Sequence, residues 1–206
     1  VTDVDEPAPA RRGRPGYDRE QMLSGAVRVF NEQGYDATSV AALTERLGLS
    51  KAALYHHFDS KEQVLDASLE RALGPLEAVL VTPEATTGTA ISRLAAVLRG
   101  AVHVLVAELP HVTLLLRVRG NSEVERRALD RRRSFDQRIA GLVRDAQREG
   151  SVRSDIEASV AARLLFGTVN SIVEWYRPGG PETADRLADD VVAVALDGLR
   201  TPDAEA

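Results

Sequence analysis

The chain has 206 residues and a net charge of −5, from 26 Lys and Arg against 31 Asp and Glu. That length can bury a real core in one or two small domains, and the charge excludes a nucleic-acid-coating polycation while leaving room for a locally basic reading surface. Cysteine is absent, so disulfides, thiolate metal sites and cysteine nucleophiles are excluded; no run of 18 apolar residues and no apolar leader segment is found, so membrane spanning and secretion are not expected and the cytoplasm is the expected compartment.

Residues 1–16, VTDVDEPAPARRGRPG, have no apolar periodicity and read as a disordered arm that turns from acidic to basic. From Asp18 the pattern is helical throughout. Asp18 and Gln21 frame a capping box, Met22, Ala26, Val27 and Phe30 share one face, and Gly34 closes the first helix after Gln33. A short helix follows Thr38 or Ser39, turns Val40, Leu43 and Leu47 inward and stops at Gly48. A third covers Lys51 to His57 after Ser50. The next opens near Ser60 and reaches about Leu73, where Gly74-Pro75 breaks or kinks it before LEAVLV continues to Val81. Residues 82–88 read as a loop. Further helices are expected at 89–108, 110–118, 121–148, 155–176 and 181–199. Pro110 and Pro181 suit first-turn positions, and Asn121 and Asp155 suit N-caps. The fold expected is all-α, with about nine helices and no sheet.

Residues 38–58, TSVAALTERLGLSKAALYHHF, place two short helices around Leu-Gly-Leu-Ser, the layout of a helix-turn-helix. Ser50 and Lys51 open the second helix, whose free N–H groups favour phosphates and base-edge acceptors. Ala52 permits close approach to helix or groove. Tyr55 and His57 offer donors to phosphates, with packing between helices as the plainer reading of Tyr55. His56 and His57 point in different directions and make no common ligand face; His56 reads as a DNA contact, with a partly buried packing residue as the alternative. The hydroxyls of Thr38 and Ser39 can cap the first motif helix or meet a phosphate. Leu47, Leu54 and Phe58 read as core. Arg11, Arg12 and Arg14 form a basic cluster that either enters an adjacent minor groove or is a solvated tail. The chain's two lysines are Lys51 and Lys61, and the arginine bias elsewhere reads as codon usage.

From Tyr17 to Leu65 the chain closely resembles the TetR family of bacterial repressors, through FNEQGYDATSV, RLGLSKAALYHHF and SKEQVL. The resemblance implies a three-helix DNA reader over 17–75, with its motif at 39–58, and a helical effector-binding and dimerisation domain over 76–206. It also marks Lys61 as a lysine that clamps the DNA backbone. RLLFGTVNSIVEWYRPGG, residues 163–180, looks like the C-terminal signature of a TetR subgroup whose effectors are often acyl-CoA thioesters or related lipids.

In the second domain an apolar pocket is expected between the helices at 89–118 and 121–176. Its candidate residues are His103, Arg117, Arg119, Phe166, Asn170 and Trp175. Arg117 or Arg119 would hold an acidic head group, and Trp175 either lines the pocket or packs at an interface. The run Arg131-Arg132-Arg133 reads as a solvated helix face. His103 and His111 are too few for a metal site. Ala184, Leu187, Ala188, Val191 and Ala195 recur at helical spacing and are the expected dimer seam.

The reading is a ligand-responsive, dimeric regulator of a palindromic operator, with DNA, a small apolar or acyl-CoA-like effector and a second copy as partners, and no cofactor, metal or membrane. Repression is favoured over activation. An architectural DNA binder without a ligand is the alternative. An enzyme is disfavoured, because no nucleophile elbow, P-loop or zinc-protease motif is present.

Overall fold

The computed structural model describes residues 18–197. Among them are ten α-helices and no strand: α1 (Arg19–Gln33), α2 (Val40–Leu47), α3 (Lys51–His57), α4 (Lys61–Val79), α5 (Pro83–Thr86), α6 (Ala90–Ala107), α7 (Leu109–Arg117), α8 (Glu123–Arg148), α9 (Ala158–Trp175) and α10 (Ala184–Val192). A π-helical turn, Ala193–Asp197, extends α10. The arm at 1–16, with Arg11, Arg12 and Arg14, and the expected helix end at 198–199 lie outside the described residues.

The reader is built from local signals. Asp18, Ser39, Ser50 and Ser60 each accept a backbone N–H bond three residues on, at the starts of α1, α2, α3 and α4, which satisfies donors that would otherwise be orphaned. Gly48 ends α2 in the left-handed region, φ 64° and ψ 32°, where a side chain would cost energy. Helices α1 and α2 touch where Gly25 faces Leu47; a Cβ there would lie 2.5 Å from the Leu47 side chain. Leu23, Phe30, Leu43, Leu54, Phe58 and Leu65 are all buried between these helices, each worth about 1.5–3 kcal/mol of transfer free energy.

Helix α4 runs from reader to body without a break, so of the break or kink expected at Gly74-Pro75 the break is not found. Pro75 removes one backbone bond. The continuous buried face Val64, Leu65, Leu69, Ala72, Leu73 and Val79 holds the helix together across it. In the body α6 is central, packed by α4, α5, α7, α8, α9 and α10. By length and composition α6 is apolar enough to cross a membrane, which qualifies the expectation that no segment is. Its apolar residues Leu94, Val97, Leu98, Val102 and Leu105 are buried among the other helices.

Four boundaries differ from expectation. The loop at 82–88 contains the short helix α5, because Thr82 caps a turn that begins with Pro83. Ser122, not Asn121, caps α8, in a reciprocal box with Glu125. Glu157, not Asp155, caps α9, since Asp155 is paired with Arg153. Thr183 caps α10, leaving Pro181 ahead of the helix.

Candidate nucleic-acid interface and effector pocket

Helix α3 is anchored from beneath by Leu54 and Phe58, which are fully buried. That leaves Ser50, Lys51, Ala52, Tyr55 and His56 on its outer side, all exposed. Tyr55 is 48% exposed, so its ring is not a packing element. Of the two histidines, His56 is exposed and His57 half-buried, their rings meeting edge-on at 4.9 Å, so the packing alternative weighed for His56 fits His57 better.

Two expected phosphate contacts are engaged elsewhere. Thr38 is buried, and its hydroxyl donates to the Gly34 carbonyl at 2.7 Å, so of the two hydroxyls that precede α2 it is Ser39 that remains exposed as the cap. Lys61 donates to the carbonyls of Tyr35 and Thr38, both at 2.9 Å, and its ammonium lies 4.1 Å from the centre of the Tyr35 ring. In this position it fastens the 34–38 turn to α4. Burial, with help from Glu62, Glu125 and Asp36, pushes the Tyr35 phenol up to about 12.

In the body a small cavity of about 50 Å³ lies between α4, α6, α7, α8 and α9. Its walls include Leu76, Val104, Val112, Leu115, Phe135 and Phe166, with Asn170, Arg132 and Asp136 as polar groups. Phe135 and Phe166 meet edge-on, centroids 5.1 Å apart. Partial burial pushes the Asp136 carboxyl up, against the pull of Arg132 and Arg163. Of the six residues expected here, the structure brings Phe166 and Asn170 together.

The other four are elsewhere. Arg117 donates to the Asn31 carbonyl of α1 at 2.7 Å, and with Arg119 it borders a separate cleft between reader and body. His103 is on the outer side of α6, 3.4 Å from Asp185 of α10. Trp175 is 51% exposed. The residues that the sequence reading missed are Arg132 and Asp136. Arg132 belonged to a run assigned whole to solvent, although it stands three residues before Phe135 and seven before Ile139, both buried, the spacing of one helix face. Its neighbour Arg131 pairs instead with Glu70 at 2.6 Å and Glu77 at 2.8 Å on α4. Those bonds raise its pKa, and they hold the Glu77 carboxyl below its usual range.

The expected dimer seam is partly taken up by packing within the chain. Leu187, Ala188 and Val191 are buried because α10 lies along α6 of the same chain, where Asp189 accepts from Arg99 at 2.9 Å. Ala184 and Ala195 are half-buried. Three of the large apolar side chains left outside are on α9: Val160, Leu164 at 63% exposure, and Trp175; Val194, in the turn that extends α10, and Val81, just past α4, are exposed as well. Beside them a groove of about 380 Å³ is lined by Leu94, Val152, Ile156, Leu164, Leu165 and Leu196.

Family models match this geometry at both ends. Residues 22–68 match the model described as bacterial regulatory proteins, tetR family, and residues 87–199 match the tetracyclin repressor-like C-terminal domain. The chain belongs to the TetR family. It is 33% identical to the HTH-type transcriptional repressor KstR2 of Rhodococcus jostii, over 95% of this chain and 97% of that one. A TetR-family regulator from Streptomyces coelicolor is 50% identical, with a TM-score of 0.83 over 87% of this chain and 91% of its own. AibR, solved with isovaleryl coenzyme A and operator DNA, shares the fold at 23% identity, with a TM-score of 0.72 over 86% of this chain and 97% of its own. As a TetR-family protein the chain is a helix-turn-helix DNA-binding regulator of transcription, with α2 and α3 as its motif.

Proposed function

We propose that this TetR-family protein is a cytoplasmic, non-catalytic repressor that acts as a homodimer on a palindromic operator and is released by a small effector. The observation that carries the reading is α3. Its exposed Ser50, Lys51, Ala52, Tyr55 and His56 stand over a buried Leu54 and Phe58, as a helix entering a major groove requires. Lys51 and Tyr55 supply charge and hydroxyl to the DNA backbone. Repression is favoured because the relative in Rhodococcus jostii is named a repressor.

The effector enters the cavity bounded by Phe135, Phe166 and Asn170. With Arg117 bonded to α1, the acidic head-group role passes to Arg132, and Asn170 orients the ligand. A drug-sized ligand fills roughly 300 Å³ or more, so at about 50 Å³ the cavity takes a short acyl group and must widen for anything larger. Widening moves its walls, and a ligand that prefers the widened state lowers DNA affinity in proportion to that preference. The small size of the cavity also favours, as the second reading, a DNA binder with no effector.

Dimerisation is assigned to the outer face of α9, where Val160, Leu164 and Trp175 are exposed on both sides of Gly167, a residue whose missing side chain leaves open space. The test begins with duplexes recovered by the protein from a random library. Two half-sites about 34–36 Å apart, or a multiple of this, are expected. The complex is then titrated with acyl-CoAs of rising chain length, starting from isovaleryl-CoA. Release at micromolar concentrations supports the effector reading. Tight binding with no release by any of the series favours the ligand-free reading, and recovery of no duplex overturns both.

A further inference from the structure

Helix α7 touches the pocket and the reader at once. Val112, Leu115 and Leu116 form part of the cavity wall. On the other side of the helix, Leu114 and Arg117 border the cleft between reader and body. The two ends of α7 meet at one residue of the reader. The side-chain amide of Asn31 donates to the Pro110 carbonyl in the first turn of α7, at 2.8 Å. The Asn31 carbonyl accepts from Arg117, the last residue of α7, at 2.7 Å. The Asn31 side-chain oxygen is buried without a partner, a cost accepted at a position that the amide donor fixes. One more tie lies nearby, from the Asn121 side chain to Asp36 at 2.7 Å.

Helix α4 is held differently. Arg131 of α8 bridges Glu70 and Glu77 of α4, and Arg127 of α8 reaches Asp66 at 3.2 Å. These pairs fasten α4 to the longest helix of the body, and at the start of α7 Glu108 and His111 meet Arg71 and Ser68 of α4. The nine-residue α7 is the shortest wall of the cavity and is bonded to α1 at both its ends. A change in the cavity that displaces α7 therefore acts on α1, and through α1 on α2 and α3.

We propose that Asn31 and Arg117 are positioning residues that set the tilt of the reader on the body, and so decide which half-site separation the protein accepts. This rests on the operator-binding reading above. Neither residue needs to touch DNA for this. With the tie cut, each reader turns about α4, and a dimer tolerates half-sites that the intact protein rejects.

The experiment uses the full chain and the duplexes recovered by the wild-type protein, each remade with one or two base pairs added or removed between the half-sites. For wild type, Arg117→Ala, Arg117→Lys, Asn31→Ala and Asn31→Asp, the affinity ratio between the native and altered separations is measured. Melting temperatures are recorded alongside. Arg117→Ala, Asn31→Ala and Asn31→Asp are expected to lose about fivefold or more of the discrimination, within the usual range of coupling between sites. Arg117→Lys keeps a donor for the Asn31 carbonyl and is expected to retain most of it. If Asn31→Ala folds poorly, Arg117→Ala carries the test, because the arginine is exposed. Unchanged discrimination in a folded Arg117→Ala overturns the proposal. So does a loss in Arg117→Lys equal to that in Arg117→Ala. Recovery of no duplex by the wild-type protein overturns the operator-binding reading and this one with it.

Discussion

The reader and the body are both capped by local side chains, but their other polar ties differ in reach. In the reader, Ser39, Ser50 and Ser60 cap the helices they begin, Thr38 bonds back to Gly34, and the longer ties, Arg46 to Glu32 and Lys61 to the Tyr35 and Thr38 carbonyls, stay inside the reader. In the body, Ser122 and Thr183 cap their helices in the same way, but further ties join distant stretches: Arg131 to Glu70 and Glu77, Arg99 to Asp189, Arg117 to Asn31. A reader held by local signals keeps its shape while the body around it moves. A body held by long-range contacts can change its cavity, and the ties at α7 pass that change on.

The largest test of this contrast is in the reader core. Leu54→Ala removes a fully buried side chain and should cost about 2–5 kcal/mol in denaturant unfolding. Lys51→Ala, one turn earlier and exposed, should leave stability within about 0.5 kcal/mol. Equal costs would mean that α3 is not seated as described.

The next effect separates the two faces of the C-terminal helices. Ala188→Arg forces a long side chain into the α6–α10 contact and should destabilise by about 1–3 kcal/mol or more. Leu164→Glu on the exposed face of α9 should leave the melting temperature of each chain nearly unchanged and give monomers in sedimentation. Monomers from neither change would move the dimer surface away from α9 and α10.

The two lysines sharpen the comparison within the reader. Lys51→Ala should weaken binding to every sequence and lower the salt slope by about 0.9, one phosphate's worth. Lys61→Ala should instead loosen the 34–38 turn, seen as faster amide exchange there, with a smaller change in the salt slope. An equal drop in slope would show that Lys61 leaves Tyr35 for a phosphate when DNA arrives.

The smallest effect is a pH dependence at the contact of α4 with α7. His111 is buried, and its Nδ1–H donates to the Ser68 carbonyl at 3.1 Å. Burial lowers its pKa below the ordinary 6.5, against the pull of Glu108. The native state then binds fewer protons than the unfolded chain below that pH, so this contribution to stability is full above about 6.5 and is lost as pH falls toward the depressed native value. Unfolding between pH 7.5 and 5.5 should show stability falling with acid, and His111→Gln should flatten that part of the slope.

The same contrast decided what could be read from the chain itself. Helices α1 and α3 were legible almost to the residue, and α2 to within one, because Asp18, Ser39, Gly48 and Ser50 are local marks. The pocket was legible only in part. Phe166 and Asn170 belong to a long apolar segment, but Arg132 and Asp136 sit in a charged stretch whose inward members show only by their spacing from Phe135. Arg117 and His103 looked like ligand groups because their partners, Asn31 and Asp185, lie 86 and 82 residues away in the chain. Leu187, Ala188 and Val191 formed a true apolar stripe, and periodicity alone does not say whether such a stripe meets another helix of the same chain or a second copy.

The placement of the lysines has a further use in chemical labelling. Lys51 and Lys61 are the only lysines in the chain, and both are in the reader. An amine-reactive reagent therefore finds two side-chain targets: one standing free at the start of α3, the other bonded to two carbonyls and covered by Tyr35. Lys51 should be modified quickly and shielded by bound DNA. Lys61 should react slowly, at a rate that reports how often the 34–38 turn opens. The whole body is silent to such a reagent, so mass spectrometry of two peptides gives a footprint of DNA occupancy and of reader loosening without any mutation.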